Sequence, residues 1–359
     1  MYVFVLGAPE APTFLRVTMI VPLVAPVDFL AGGGFFDRLL DPIGARTVRR
    51  LLPSSVSPSR GHFSPKITKT MAWGSLVFLA NASASDFHAF IDPLANMTTL
   101  TYTSTAGCTY FNPADANATV VGWERSALRH DPPTGGMRAL VFVQNATGRG
   151  VIAFRGTDLN DTNVSGQADH CADSLLWTGS GGGALPAYCK QWDARTLDYL
   201  GRALDFSATV RGAYPGMQFL HTGHSLGAGL GILVAAAAAT APLPALVFSA
   251  PGLRDVLANR TGVDPASVAA SHELVILADE WDPVYQGAIS GAGLVGQACV
   301  WRTVEGALCE LCYTAPGAVN MTNPACEGCF AKHHIYAHYL DDLVANKTWK
   351  PACAPTVNN

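Results

Sequence analysis

Gly223-His224-Ser225-Leu226-Gly227 forms a G-x-S-x-G pentapeptide. A serine hydroxyl is a weak nucleophile until a sharp turn exposes it and an adjacent base activates it, so the setting matters more than the pattern. Met217 to Thr222 reads as a short strand entering the pentapeptide, and Leu226 to Ala239 reads as an apolar helix leaving it. That is the arrangement a nucleophile elbow needs. Two glycines let the backbone turn without a Cβ clash, and the helix N-terminus brings a partial positive charge to Ser225. A relay from such a serine requires an acid and then a histidine further along the chain. Asp282, in Asp279-Glu280-Trp281-Asp282-Pro283-Val284, follows an expected strand over Glu273 to Ala278, with Asp279 and Glu280 as competitors. His333, His334 and His338 lie together downstream. His221 and His224 flank Ser225 too closely in sequence to reach its hydroxyl well, and both read as structural.

The elements that must hold these groups alternate. Ala139 to Val143 and Val151 to Phe154 are β-rich runs around Asn145-Ala146-Thr147-Gly148, a hairpin. A polar, glycine-rich loop is expected over Asp158 to Ala184, and a helix over Lys190 to Val210 from the spacing of Trp192, Leu197, Leu200 and Leu204. The strand of 217 to 222, the helix after it, a strand over Ala245 to Ser249 and the strand over Glu273 to Ala278 give the βαβ order of a parallel sheet covered by helices. Thr68 to Ala80 has the small and apolar residues of a buried helix. Residues 1 to 65, with Gly32-Gly33-Gly34 and a Pro/Ser segment from Pro53 to Pro65, read as a leader or anchor plus linker, and 66 to 359 as the main domain.

Composition narrows the function. Hydrophobic residues make up 49% of the 359 and charged residues 14%, which supplies a large core. A net charge of −4 without a basic stripe argues against nucleic acid as a partner. Nine of the thirteen asparagines head an N-x-[ST] sequon, where chance gives roughly two. Together with nine cysteines this points to the secretory route, extracellular or lumenal. A charge-poor stretch from Val17 to Val27 can serve as a signal or an anchor, and read on to Phe36 it is long enough to span a bilayer, although Pro22, Pro26 and Asp28 interrupt it. Membrane association is therefore expected of this segment if of any. Cys309-x2-Cys312 and Cys326-x2-Cys329, thirteen residues apart, suggest zinc out of context. The sequon at Asn320 inside the array favours disulfides instead. The odd cysteine is free or intermolecular, and the connectivity is open.

Four motifs in order then carry a family likeness. Ile152-Ala153-Phe154-Arg155-Gly156-Thr157, Tyr214-Pro215, Thr222-Gly223-His224-Ser225-Leu226-Gly227-Ala228 and Phe248-Ser249-Ala250-Pro251 resemble the class 3 lipases, the fungal-type triacylglycerol lipases and their plant and algal relatives. The likeness spans residues 68 to 345. It implies an α/β-hydrolase-type, mostly parallel sheet flanked by helices, here with an N-terminal extension and a cysteine-rich loop. It also implies an acyl-enzyme mechanism on lipid esters, with no cofactor and no metal. Thr157 and the backbone N–H of Leu226 would bind the oxyanion, the second following also from elbow geometry. Asp282 matches the family's Asp-Pro-Val signature, although Tyr285-Gln286 stands where a proline usually follows. His334 precedes Tyr339-Leu340 by five residues, as in the plant-type members, and is favoured. His333, three before Tyr336, fits the fungal spacing, and His338 reads as packing or solvent-facing.

The resemblance implies a lipase acting at a lipid–water interface. A phospholipase, galactolipase or acyltransferase would use the same triad, and a glycosylated binding protein would need a missing member. The family carries a lid soon after Thr157, where Leu175-Leu176-Trp177 precedes Gly179 and Gly181-Gly182-Gly183 between Cys171 and Cys189. This trio is either a lid patch or part of a fixed helix in the core.

Overall fold

The computed structural model describes Leu76 and residues 82–355, with breaks at 134, 178–184, 239–242, 270, 272, 291–292, 302–308, 310–311, 316–317, 320–323 and 346–351. The N-terminal segment with its expected leader, anchor and linker, and all but Leu76 of the helix expected over Thr68 to Ala80, lie outside the described residues. So do three sequons, at Asn81, Asn320 and Asn346. Among the described residues, no helix is long and apolar enough to cross a membrane.

In chain order the main elements are α1 (Ala84–Thr103), β1 (Glu124–His130), β2 (Ala139–Gln144), β3 (Arg149–Phe154), α2 (Val164–Trp177), α3 (Tyr199–Ala213), β4 (Gln218–Gly223) and α4 (Leu226–Ala236). They continue with β5 (Ala245–Phe248), α5 (Arg254–Thr261), β6 (Leu274–Asp279), α6 (Pro283–Ser290), β7 (Gln297–Trp301), α7 (Pro324–His334), α8 (Tyr336–Ala345) and β8 (Ala352–Pro355). The strands form one eight-stranded sheet in the order β1-β2-β3-β4-β5-β6-β7-β8. β3 to β7 pair in parallel, and the outer strands on both sides pair antiparallel. The expected mostly parallel sheet flanked by helices is what the chain forms.

Strand periodicity splits the core into two layers. On β6, Leu274, Ile276 and Ala278 enter the layer with α4, while Val275 and Leu277 enter the layer with α1 and α8. On the first side α4 is buried at every position, so it has no polar face to show and reads as an all-apolar run. On the other side α1 buries Phe87, Ile91, Leu94 and Met97, which recur at helical spacing. Ser83 caps its start, its hydroxyl accepting from Asp86 N at 3.1 Å.

Two expectations need correction. The loop expected over Asp158 to Ala184 contains helix α2, whose buried face is Ala168, Cys171, Ala172 and Leu176. Apart from Leu176 these are small residues among polar ones, so the apolar stripe is narrow and easily missed. The helix expected over Lys190 to Val210 is three pieces, a 3₁₀ turn Ala187–Gln191, a single turn Ala194–Leu197, and α3. Asp193 and Asp198 restart it, accepting from Thr196 N and Gly201 N.

Eight cysteines pair as Cys171–Cys189, Cys299–Cys353, Cys309–Cys329 and Cys312–Cys326. The C-x2-C array is therefore two nested bridges rather than a set of metal thiolates. Cys108 is the free cysteine, and burial pushes its thiol up to about 11, which leaves it unreactive.

Candidate active site

β4 ends at Gly223 and α4 begins at Leu226, so Ser225 sits in the turn between them. Its backbone has φ 57° and ψ −123°, a left-handed conformation that costs a residue with a side chain of order 1–3 kcal/mol. The neighbours hold it there. Ser225 N donates to Phe248 O at 3.1 Å, and Gly227 N to His224 O at 3.0 Å. A Cβ on Gly223 would meet the Gly227 backbone and Phe154 O, and one on Gly227 would run into Phe154 and Arg155 backbone. Both glycines are therefore required by close approach of β3 to the turn.

The structure brings Ser225, His334 and Asp282 into one line of hydrogen bonds. His334, the last residue of α7, places Nε2 3.0 Å from Ser225 Oγ and Nδ1 2.9 Å from Asp282 Oδ1. Asp282 is fully buried just beyond β6, and its Oδ1 also accepts from Val284 N at 2.8 Å. Carboxylate contact at Nδ1 leaves Nε2 facing the hydroxyl, the orientation a general base needs.

The competitors are paired too. His333 Nδ1 lies 2.8 Å from Asp279 Oδ2, which also accepts from Trp301 Nε1 at 3.1 Å. Asp279 Oδ1 accepts from Trp281 N at 2.8 Å. Two acids three residues apart thus hold two adjacent histidines, and only His334 reaches Ser225. Glu280 is tied by its backbone, its N–H donating to Trp301 O and its carbonyl accepting from Gln286. The side chain of His338 lies outside the described residues. His221 and His224 are buried, and His221 Nε2 meets Ser207 Oγ at 2.9 Å. Burial lowers the pKa of His221 to about 4 and that of His224 well below the usual range, so both are neutral at pH 7.

Thr157 follows β3 and lines the same small cavity as Ser225 and His334. Leu226 supplies the first amide of α4, at the open end of the helix where N–H groups lack intrahelical partners. Thr157 Oγ1 donates to Asp173 Oδ2 at 2.7 Å, and Trp177 Nε1 donates to Asp173 Oδ1 at 2.8 Å. Trp177 in turn rests where Gly229 has no side chain, one turn along α4 from Ser225. The trio near the end of α2 is therefore divided, with Leu176 buried, Trp177 half-buried and Leu175 exposed.

Tyr102 and Asp173 are marked by no motif, and Tyr336 enters the sequence reading only as the spacing mark for His333. Tyr102, on α1, stacks on Tyr336 with centroids 4.2 Å apart and places its hydroxyl 3.0 Å from His224 Nδ1. The cavity these rings close holds about 20 Å³, too little for an acyl chain.

Burial pushes the Asp173 carboxyl up to about 7, against the Thr157 and Trp177 hydrogen bonds that favour its anion. The folded protein then keeps a proton that the unfolded chain releases near pH 4, so this group's contribution to stability is lost as pH rises from about 4 through about 7. Thermal melts across that window should show the wild type losing stability relative to Asp173→Asn. A pH-independent difference would mean that Asp173 ionises normally.

No protein-family model matches the chain, and no curated protein matches it. Solved structures do. A lipase from Rhizopus microsporus var. chinensis is 15% identical, over 61% of this chain and 75% of that one, with a TM-score of 0.37. The Lip2 lipase from Yarrowia lipolytica is 18% identical, over 60% and 78%, with a TM-score of 0.33. A triacylglycerol lipase from Penicillium expansum is 13% identical, over 62% and 82%, with a TM-score of 0.37. Each of these three solved structures is a fungal lipase.

Proposed function

We propose that the protein is a serine hydrolase of lipid carboxylic esters. The observation that carries this reading is the unbroken relay from Ser225 Oγ through His334 to Asp282, with steps of 3.0 and 2.9 Å, at a backbone turn that holds the serine in a left-handed conformation. Ser225 attacks the ester carbonyl while His334 Nε2 takes its proton. Asp282 keeps His334 in the correct tautomer and stabilises the imidazolium. Thr157 and the Leu226 N–H stabilise the negative oxygen of the tetrahedral intermediate. His334 then protonates the departing alcohol, and water, activated by the same imidazole, releases the acid from the acyl-enzyme. No cofactor takes part in these steps.

The lipid preference is supported by the motif resemblance and by the apolar Leu175 left in water near the site. The end of α2 touches the site through the Thr157–Asp173 hydrogen bond, and it is the element we assign to admitting an acyl chain. Exposed sequons at Asn96, Asn117, Asn145 and Asn259 fit glycosylation on the secretory route, and the N-terminal segment is the part assigned to any membrane contact.

The test is turnover of a panel of triacylglycerol, diacylglycerol, phospholipid, galactolipid and short-chain esters, with an acceptor alcohol added in a parallel arm. Hydrolysis of long-chain acylglycerols is expected to dominate. Acyl transfer to the alcohol in preference to water would make the protein an acyltransferase, and no turnover of any ester would end the enzyme reading.

A further inference from the structure

The acid and histidine that the Ser225 relay does not use form a buried pair of their own. His333 is 3% exposed and Asp279 4%, and the carboxylate is anchored on three sides, by His333, Trp301 and the Trp281 amide. Beyond His333 lies sulfur. One ring nitrogen of His333 and the Sγ atoms of Cys309 and Cys329 all lie within 4.8 Å of one another. These two cysteines form the outer of the nested bridges, and the inner one, Cys312–Cys326, packs with them. The hydrophobic residue packed against this four-sulfur cluster, among those described, is Trp281. Cys329 Sγ sits 3.9 Å from the Trp281 carbonyl oxygen.

Trp281 lies between Asp279 and Asp282, and Cys329 lies on α7, five residues before His334. The cystine cluster therefore underlies both the loop that presents the acid and the helix that presents the base. An imidazole held by a buried carboxylate beside a disulfide has a further use, because the step that opens a disulfide needs a proton moved from the attacking thiol to the leaving sulfur.

We propose that Cys309–Cys329 is a thiol-exchange site for small thiols, with His333 as its proton relay and Asp279 as the residue that positions His333. Its opening detaches His334 from Ser225. The effect on hydrolysis rests on the function proposed above, whereas the exchange chemistry does not.

His333 takes the proton of a small thiol, and the resulting thiolate attacks one Sγ. The Cys309–Cys329 bond breaks, its electron pair leaves on the other Sγ, and His333 returns the proton there. A second thiol attacks the mixed disulfide in the same way. The protein disulfide is reduced to two thiols, and two small thiols are oxidised to one small disulfide. Because Nδ1 of His333 is engaged by Asp279, Nε2 is the nitrogen that relays.

Access alone points elsewhere. Cys309 and Cys329 are 4% and 6% exposed, whereas Cys353 of the Cys299–Cys353 bridge is half-buried. No histidine, however, groups with Cys299 and Cys353 among the described residues. A preference for opening Cys309–Cys329 would therefore report the relay rather than exposure.

The full-length oxidised protein is incubated in graded reduced and oxidised glutathione, quenched by alkylation, and each cysteine is read by peptide mass. Hydrolysis of a short soluble ester and fluorophosphonate labelling of Ser225 are followed in parallel. Cys309–Cys329 is expected to open ~10-fold faster than Cys299–Cys353, and activity to fall in step with its opening and return on reoxidation, with the far-UV signal of the sheet unchanged. His333→Gln is expected to slow this opening ~10-fold without slowing Cys299–Cys353. Opening no faster than at Cys299–Cys353, or full activity with Cys309–Cys329 open, would overturn the proposal, and both are read in the wild type. If the oxidised protein neither hydrolyses ester nor labels at Ser225, the hydrolase reading fails instead, while the masses still report the exchange.

Discussion

Ser225→Ala is expected to lower kcat for ester hydrolysis by on the order of 10⁴ or more while the protein stays folded. Alanine keeps the Cβ and fits the same turn, so the φ of 57° and the backbone bonds to Phe248 are retained. What disappears is the oxygen 3.0 Å from His334 Nε2. Among the described residues, Ser249 is the other serine at positive φ, and its hydroxyl is fully buried, so it cannot take over. A purified variant that keeps more than a few per cent of wild-type kcat would remove Ser225 from the chemistry. The melting temperature measured on the same sample separates lost chemistry from lost fold.

The second large effect divides the two acid–histidine pairs. His334→Ala is expected to cost on the order of 10⁴ or more in kcat, and Asp282→Asn about 10³–10⁴, because an asparagine favours the wrong tautomer of the imidazole. Since these residues act as one unit, the double variant should be little worse than His334→Ala alone. That non-additivity is the measurement that matters, because two unrelated structural defects would multiply. Were His333→Ala inactive and His334→Ala active, the base would belong to the Asp279 pair, and the fungal-type spacing to Tyr336 would have been the better guide.

How much of this was legible from the chain follows from how local each feature is. The elbow is contiguous, with a strand, two glycines and an apolar helix in about twenty residues, so the local order of residues marks it. The acid was narrowed to a four-residue stretch, since a loop after a strand is readable but the direction of each side chain in it is not. Among three clustered histidines, motif spacing favours His334, and of the two whose side chains are described it is His334 that meets Ser225. The pairing of His333 with Asp279 joins segments 54 residues apart, and no local pattern encodes it. Asp173 was invisible for a related reason. It lies on a helix whose buried positions are mainly small residues and whose polar surface looks like loop, and its importance comes from meeting Thr157 across space.

The relay also has a consequence for the order in which the molecule forms. Ser225 and His334 are 109 residues apart, and His334 and Asp282 are 52 apart. The β2–β3 hairpin and the β4–α4 turn close short loops, whereas the relay closes long ones and returns little free energy until the sheet is already in place. The reacting atoms therefore meet only where three segments far apart in the chain are packed together. A fault that shifts α7 alone would leave the parallel strands paired and the chemistry silent.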